Sequence, residues 1–359
     1  MANFFTKLFR REASLARTPA PGQAVRVQPA SAPPAAAQAQ LPAPGIGAEG
    51  FEKVWALLTA GSAPASALAP DAQEMVDFLV PKVKEMFRQL RPDPASFPTM
   101  ALQILDLIND PDLDMNELIR AISPDPAIPI YVLRAANSAM VSRGSEIQDL
   151  RRAVLQLGTR EVGVIAAGVA SKSLYDPFLK AEFEVFGRRW NLMFQNSMAV
   201  AMGASQFAFE QQVGRADHAF LAGMFHDIGK TLALRSLARL VLNAEVVPPL
   251  PDPVVDEVLE QVHLELGCDL HHLWGLPEYL VNVCQHHHDP EVPPALENMD
   301  LHVLRLAEGL HRLVLDPADA ARLEETRQSF QSLQLTPRNL QRVWTDMGLQ
   351  HERVAALFA

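Results

Sequence analysis

The sequence has 359 residues, 48% of them hydrophobic and 20% charged, with a formal net charge of −11. That composition supplies an ample core, while the acidic balance argues against nucleic acid as a main partner, because phosphate contacts need clustered Lys and Arg. Two cysteines, Cys268 and Cys284, form no CxxC pair and no disulfide framework; they read as apolar fillers in a reducing, cytoplasmic setting.

Residues 1–17 place Phe4, Phe5, Leu8 and Phe9 on one helical face and Lys7, Arg10, Arg11 and Arg17 elsewhere. Such a basic amphipathic segment fits weak contact with a membrane surface, or a partner groove, or simply a frayed terminus. Residues 18–48 are rich in Pro and Ala with almost no large apolar side chains, so a flexible, disordered extension is expected there. From Phe51 the pattern turns helical. "GFEKVWALLTA" is a short candidate, and "DAQEMVDFLVPKVKEMFRQL" a longer one with Pro81 as a possible break. These make an N-terminal helical section, 51–96.

Residues 97–290 read as helix after helix. "TMALQILDLIND" stops at a turn, and "DMNELIRAIS" opens on the N-cap candidate Asp114. "DPAIPIYVLRAANSAM", "DLRRAVLQLGTREVGVIAAGVASKSL" and "RRWNLMFQNSMAVAMGASQFAFEQ" follow, and the apolar run 162–170 is far too short to cross a bilayer. A C-terminal helical extension, 291–359, closes with "LTPRNLQRVWTDMGLQHERVAALF", where Thr336 and Pro337 signal a helix start. No segment keeps a period of two, so the expected fold class is all-α.

Chemistry concentrates in "AFLAGMFHDIGKTLAL", residues 219–234, read as one apolar helix carrying a His-Asp pair. On such a helix His226 and Lys230 share a face while Asp227 sits about 100° round. Imidazole nitrogen and carboxylate oxygen suit borderline metals, and a nearby Lys can hold a phosphate oxygen. The alternatives are an internal hydrogen-bonded pair for His226 and Asp227 and a solvated position near a helix end for Lys230. His263 in "VHLELG" and His286, His287 and His288 in "QHHHDP" add further nitrogen donors, with core packing or a helix C-terminus as the plainer roles.

"FHDIGK" resembles the signature of the HD superfamily of metal-dependent phosphohydrolases. "FPTMALQILDLINDPDLDMNELIRAISPDPAIPIYVLRAANSA", "AVLQLGTREVG" and "HLELGCDLHHLWGLPEYLVNVCQHHHDP" look like its HDOD branch, an all-helical module related to the HD-GYP cyclic-dinucleotide phosphodiesterases. The resemblance implies a site of His, His-Asp and a distal Asp around a metal. At the first His this sequence has Asn196, and at the distal Asp it has Glu308. Glu keeps a carboxylate, whereas an amide oxygen is a weak ligand for Zn or Fe.

The expected outcome is a degraded metal site with His226, Asp227, Asn196, Glu308, His263, His287 and His288 as remnant ligands and no catalytic residues. No cofactor is expected unless the site works, in which case Mn, Fe, Ni or Zn would fill it. The expected function is a non-catalytic bacterial signalling module. Its partners would be proteins of a two-component or cyclic-dinucleotide network, or a nucleotide ligand. The alternatives are a metal-dependent phosphohydrolase or cyclic-dinucleotide phosphodiesterase, with Lys230 on a phosphate, and an inactive nucleotide-binding sensor.

Overall fold

In the computed structural model, residues 48–60, 68–90, 97–138, 146–289, 298–316 and 322–358 are described, together with residues 92, 141 and 292. The basic segment 1–17, with Phe4, Phe5, Leu8 and Phe9, and residues 18–47 of the expected linker lie outside the described residues. Every regular element among the described residues is helical, so the fold is all-α.

Helices α1 (Ala48–Ala60) and α2 (Pro70–Leu90) come first. Pro81 does not break α2: the helix runs through it and buries Val76, Leu79, Val83, Met86 and Phe87. An interior proline costs about 3 kcal/mol. Burying five large apolar side chains at about 1.5–3 kcal/mol each outweighs that, so packing overrides the local penalty.

Helices α3 (Thr99–Ile108), α4 (Met115–Ile122) and α5 (Ala127–Ala136) follow. Asp114 caps α4 as expected, accepting from the Asn116 N–H. Asn137 exchanges hydrogen bonds with both backbone groups of Ile147 and so closes the loop after α5. The stretch 149–174 divides into α6 (Leu150–Leu157), α7 (Thr159–Ser171) and a short 3-10 turn. The divider is Gly158, whose φ of +87° suits glycine.

Helices α8 (Lys180–Phe186) and α9 (Arg188–Gln211) lead to the central motif. Here the sequence expectation needs correction, because residues 219–234 are two helices, α10 (Ala216–Phe225) and α11 (Ile228–Leu242). His226 still donates its N–H to the Ala222 carbonyl, and Asp227, at φ −103° and ψ 12°, is the first residue outside α11. The physical reason lies in the neighbouring helix α12 (Asp252–Leu273). Gly229 meets its backbone so closely that a Cβ there would lie 1.9 Å from the His263 carbonyl oxygen. The turn at His226–Asp227 sets α11 into that contact and aims both side chains at one point.

Helices α13 (Glu278–His286), α14 (Met299–Leu315), α15 (Leu323–Ser332) and α16 (Pro337–Phe358) complete the chain. Helix α9 packs on α10, α14 and α16; α12 packs on α2, α11 and α13. The C-terminal helices therefore wall the same interior as the motif.

Two stability predictions follow from these contacts. Gly229→Ala forces a methyl into fixed backbone and should cost about 3 kcal/mol, the upper end for overpacking, in urea unfolding; a change under about 1 kcal/mol would mean that α11 and α12 can separate freely. His271 is buried beside Trp274. Burial pushes its pKa down to about 4. The unfolded imidazole takes its proton near pH 6.5, so the unfolded state gains protons first and stability falls as pH drops below that value. Between pH 7.5 and 5 the loss from this residue should be about 2 kcal/mol, and His271→Leu should flatten the slope. Equal slopes would place the acid sensitivity elsewhere.

Candidate metal centre

Five elements deliver the polar interior. The turn between α10 and α11 supplies His226 and Asp227, α12 supplies His263, and the end of α13 with the residues after it supplies His287 and His288. Helix α14 brings Glu308, and α9 brings Asn196 to the same cleft, a cavity of about 950 Å³.

The imidazoles are oriented by backbone. His226 Nδ1 lies 3.0 Å from the Gly223 carbonyl, His263 Nδ1 2.8 Å from the Glu260 carbonyl, and His287 Nδ1 2.9 Å from the Cys284 carbonyl. A carbonyl only accepts, so each Nδ1 carries the proton and each Nε2 keeps its lone pair. Those lone pairs converge on Asp227. His263 Nε2 is 3.5 Å and His287 Nε2 3.6 Å from Asp227 Oδ1, while His226 Nε2 is 3.5 Å from Oδ2.

Asp227 Oδ1 and the Nε2 atoms of His263, His287 and His288 are all buried without a hydrogen-bond partner. Each such orphan costs about 1–3 kcal/mol, and lone pairs facing a carboxylate repel it. Protonation of His226 and His263 is disfavoured and so does not relieve the conflict. Burial drives the His226 pKa down, and burial together with Lys230 takes His263 to about 3. A cation relieves it. The four atoms lie within 4.8 Å of one another, where ligand bonds of about 2.1 Å would set tetrahedral neighbours about 3.4 Å apart. These four residues fit a divalent ion such as Mn, Fe, Ni or Zn. Glu308, His226 and His287 make a second, three-donor group.

Asn196 lines the same cleft as His226, Asp227 and Glu308. The three consecutive histidines also divide. His287 and His288 face inward, whereas His286 pairs with Asp289 at 2.6 Å, in keeping with a helix C-terminus. Lys230 is not solvated: it lies 2.8 Å from Asp227 Oδ2 and 2.9 Å from Glu260 Oε1. Burial would raise the Asp227 pKa, but Lys230 and His226 hold it well below the usual carboxylate range. Cys284 is buried with its Sγ 3.5 Å from the His226 carbonyl, and Cys268 is half-buried.

Sequence reasoning missed three supporting residues. Arg305, buried in α14, donates to the carbonyls of His286, His287 and Asp289 and so fixes the segment that bears two donors. Glu260 lies one turn before His263 and could have been found from that spacing. Arg322, just before α15, reaches Glu260 at 2.9 Å; nothing local in the sequence marks it.

Comparison with known proteins agrees with this architecture. Residues 95–290 match the family model for the HDOD domain. An uncharacterised protein of Treponema pallidum (strain Nichols) is 24% identical over 206 residues, 56% of this chain but only 39% of that protein. A crystal structure from Shewanella amazonensis, of a candidate metal-dependent phosphohydrolase, superposes with a TM-score of 0.55 at 19% identity, covering 80% of this chain and all of that one. One from Marinobacter aquaeolei, of a candidate signal-transduction protein, gives 0.50 at 17% identity, over 90% of this chain and 68% of the other. At these identities the two structures show a shared fold.

The full-length chain, stripped with chelator and titrated with Mn²⁺ or Zn²⁺, should take up one ion per chain. His287→Ala should weaken uptake at least about 100-fold, beyond the 10–100-fold typical of losing an outer hydrogen-bond partner. Uptake unchanged in that variant, with its fold intact by circular dichroism, would exclude the four-donor centre.

Proposed function

The chain belongs to the HDOD domain family, and from that premise we propose that it is a signal-transduction module organised around one divalent-metal centre. In this reading Asp227, His263, His287 and His288 hold the ion, and the adjoining cleft receives a phosphorylated ligand. The observation that carries it is the set of four buried donor atoms without hydrogen-bond partners, three of them imidazole nitrogens. A purely structural polar knot would pair those atoms with each other.

The same geometry bears on turnover. When bound, the cation supplies a Lewis acid and a more acidic water. Lys230, on the cleft wall, is placed to hold a phosphoryl oxygen, and Arg305 keeps the donor segment fixed. The second donor group has only three members and shares His287 with the first, and Asn196 lines its cleft where the resemblance implies an imidazole. We therefore read the module as binding its ligand with little hydrolysis and passing its occupied state to proteins of a two-component or cyclic-dinucleotide network.

Phosphohydrolase activity is the second reading, favoured by the size of the cleft and by its opening onto His226, Asp227 and Glu308. The names given to the Shewanella and Marinobacter proteins span the same two possibilities.

Asn196→His separates them. It should increase hydrolysis of bis(p-nitrophenyl) phosphate by about 100-fold, within the range that a positioned catalytic group contributes. Rapid turnover by the unmodified chain, with no gain on substitution, would establish the hydrolase reading instead.

A further inference from the structure

The chain's two cysteines sit on helices that serve the donor set. Cys268 is on α12, which also bears His263, and Cys284 is on α13, which leads into His287 and His288. Two apolar fillers would have no reason to meet, yet the Cys284 thiol hydrogen-bonds the sulfur of Cys268. Gly267 makes the approach possible, because a Cβ at that position would lie 2.8 Å from Cys284 Sγ. The missing side chain lets the Cys284 sulfur rest on the α12 backbone beside Cys268.

Short links join this pair to the metal centre. Cys284 Sγ lies 3.5 Å from the His226 carbonyl, and the Cys284 carbonyl accepts from His287 Nδ1 at 2.9 Å. Cys268 follows His263 by little more than one helical turn. A shift of either sulfur therefore reaches rings whose orientation the centre needs.

The two sulfurs differ in access. Cys284 is buried and Cys268 half-buried. The hydrogen bond from Cys284 favours a thiolate on Cys268 and holds its pKa below the ordinary thiol value. Cys268 is thus the sulfur that a small oxidant meets first, in the form that reacts. An accessible, thiolate-leaning cysteine beside a resolving partner is the arrangement that senses oxidants. In a reducing setting such a pair rests as two thiols and is bridged only transiently.

We propose that Cys268 and Cys284 are a peroxide-responsive thiol pair whose reversible disulfide weakens the metal centre. Hydrogen peroxide is the oxidant. The Cys268 thiolate attacks one peroxide oxygen, the O–O bond breaks, and the hydroxide that leaves takes up the proton Cys268 had lost. The Cys284 sulfur then attacks the Cys268 sulfenic acid. The S–S bond forms, the S–O bond breaks, and the departing hydroxide leaves as a second water with the Cys284 proton. Two thiols lose two electrons and peroxide gains them; a reducing thiol reverses the change.

The new bond draws Cys284 toward α12, away from the His226 carbonyl, and moves the carbonyl that orients His287. Linkage makes the effect reciprocal, so a bound ion opposes the disulfide by the factor with which the disulfide opposes the ion. The inference rests on the proposed metal centre for what is switched, and not for whether the disulfide forms.

The test treats the chelator-stripped full-length chain with one equivalent of hydrogen peroxide. Both thiols should vanish from a thiol count, the intact mass should fall by two hydrogen atoms, and dithiothreitol should restore both values. Mn²⁺ uptake by the oxidised chain should be at least about tenfold weaker than by the reduced chain, the lower end for disturbing an outer partner of a ligand. Cys284→Ser should halt at a Cys268 sulfenic acid that dimedone traps. Thiols that survive, oxidation past the sulfenic acid without a disulfide, or a disulfide only between chains overturns the pair. A disulfide within the chain that leaves Mn²⁺ affinity unchanged overturns the switch. If neither redox state binds Mn²⁺, the metal reading fails by itself, and the switch is read from the ring resonances of His287, assigned with His287→Ala. They should move on oxidation, and unmoved resonances overturn it.

Discussion

Several imidazole lone pairs face one carboxylate inside a helical core, and the rest of this molecule is arranged around that conflict. His226 and His263, kept neutral by burial and with their protons on Nδ1, cannot hydrogen-bond to Asp227 through Nε2, and Asp227 Oδ1 and His263 Nε2 are buried without a partner. An electrostatic arrangement of this kind is unfavourable as it stands and becomes favourable with a cation between the donors. The metal-centre reading follows from that sign change, whatever the chain resembles.

The helices make the conflict rigid. The rings of His226, His263 and His287 each hang from a carbonyl three residues earlier, so their orientation is as fixed as the helix axis. The axes are fixed in turn by close contacts that only small residues permit, Gly229 against the His263 carbonyl above all. Arg305 secures the remaining freedom, the segment after α13, through three carbonyls at once. Preorganisation of this kind is what makes a site selective for a ligand's geometry rather than only for its charge.

Much of this was legible in the sequence because helices advertise themselves through period and caps. Asp114, Thr336 and the apolar stripes placed helices at their observed positions. Pro81 misled because local propensity says nothing of the burial that overrides it. The His-Asp pair misled differently: its apolar flanks read as one helix, and the turn there depends on Gly229 meeting a backbone 34 positions away. The donor set was legible as a list of residues. Its division into two overlapping groups that share His287 was not, since no spacing rule says how His226 and His263 sit relative to His287. Glu260 and Arg322 illustrate the limit most plainly. They sit 62 positions apart and meet at 2.9 Å, and pairing of that range is decided by how helices pack.

The two oxygens of Asp227 stand in different surroundings. Oδ1 faces His263 and His287, while Oδ2 is taken at 2.8 Å by the Lys230 ammonium. A second divalent ion drawing on the same carboxylate would have to use Oδ2, and there it would meet a fixed positive charge at hydrogen-bond distance. Unit charges 4 Å apart interact by about 4 kcal/mol near a protein surface, and a doubly charged ion would about double that. Lys230 thus already places a positive charge on the side of Asp227 that a second ion would need.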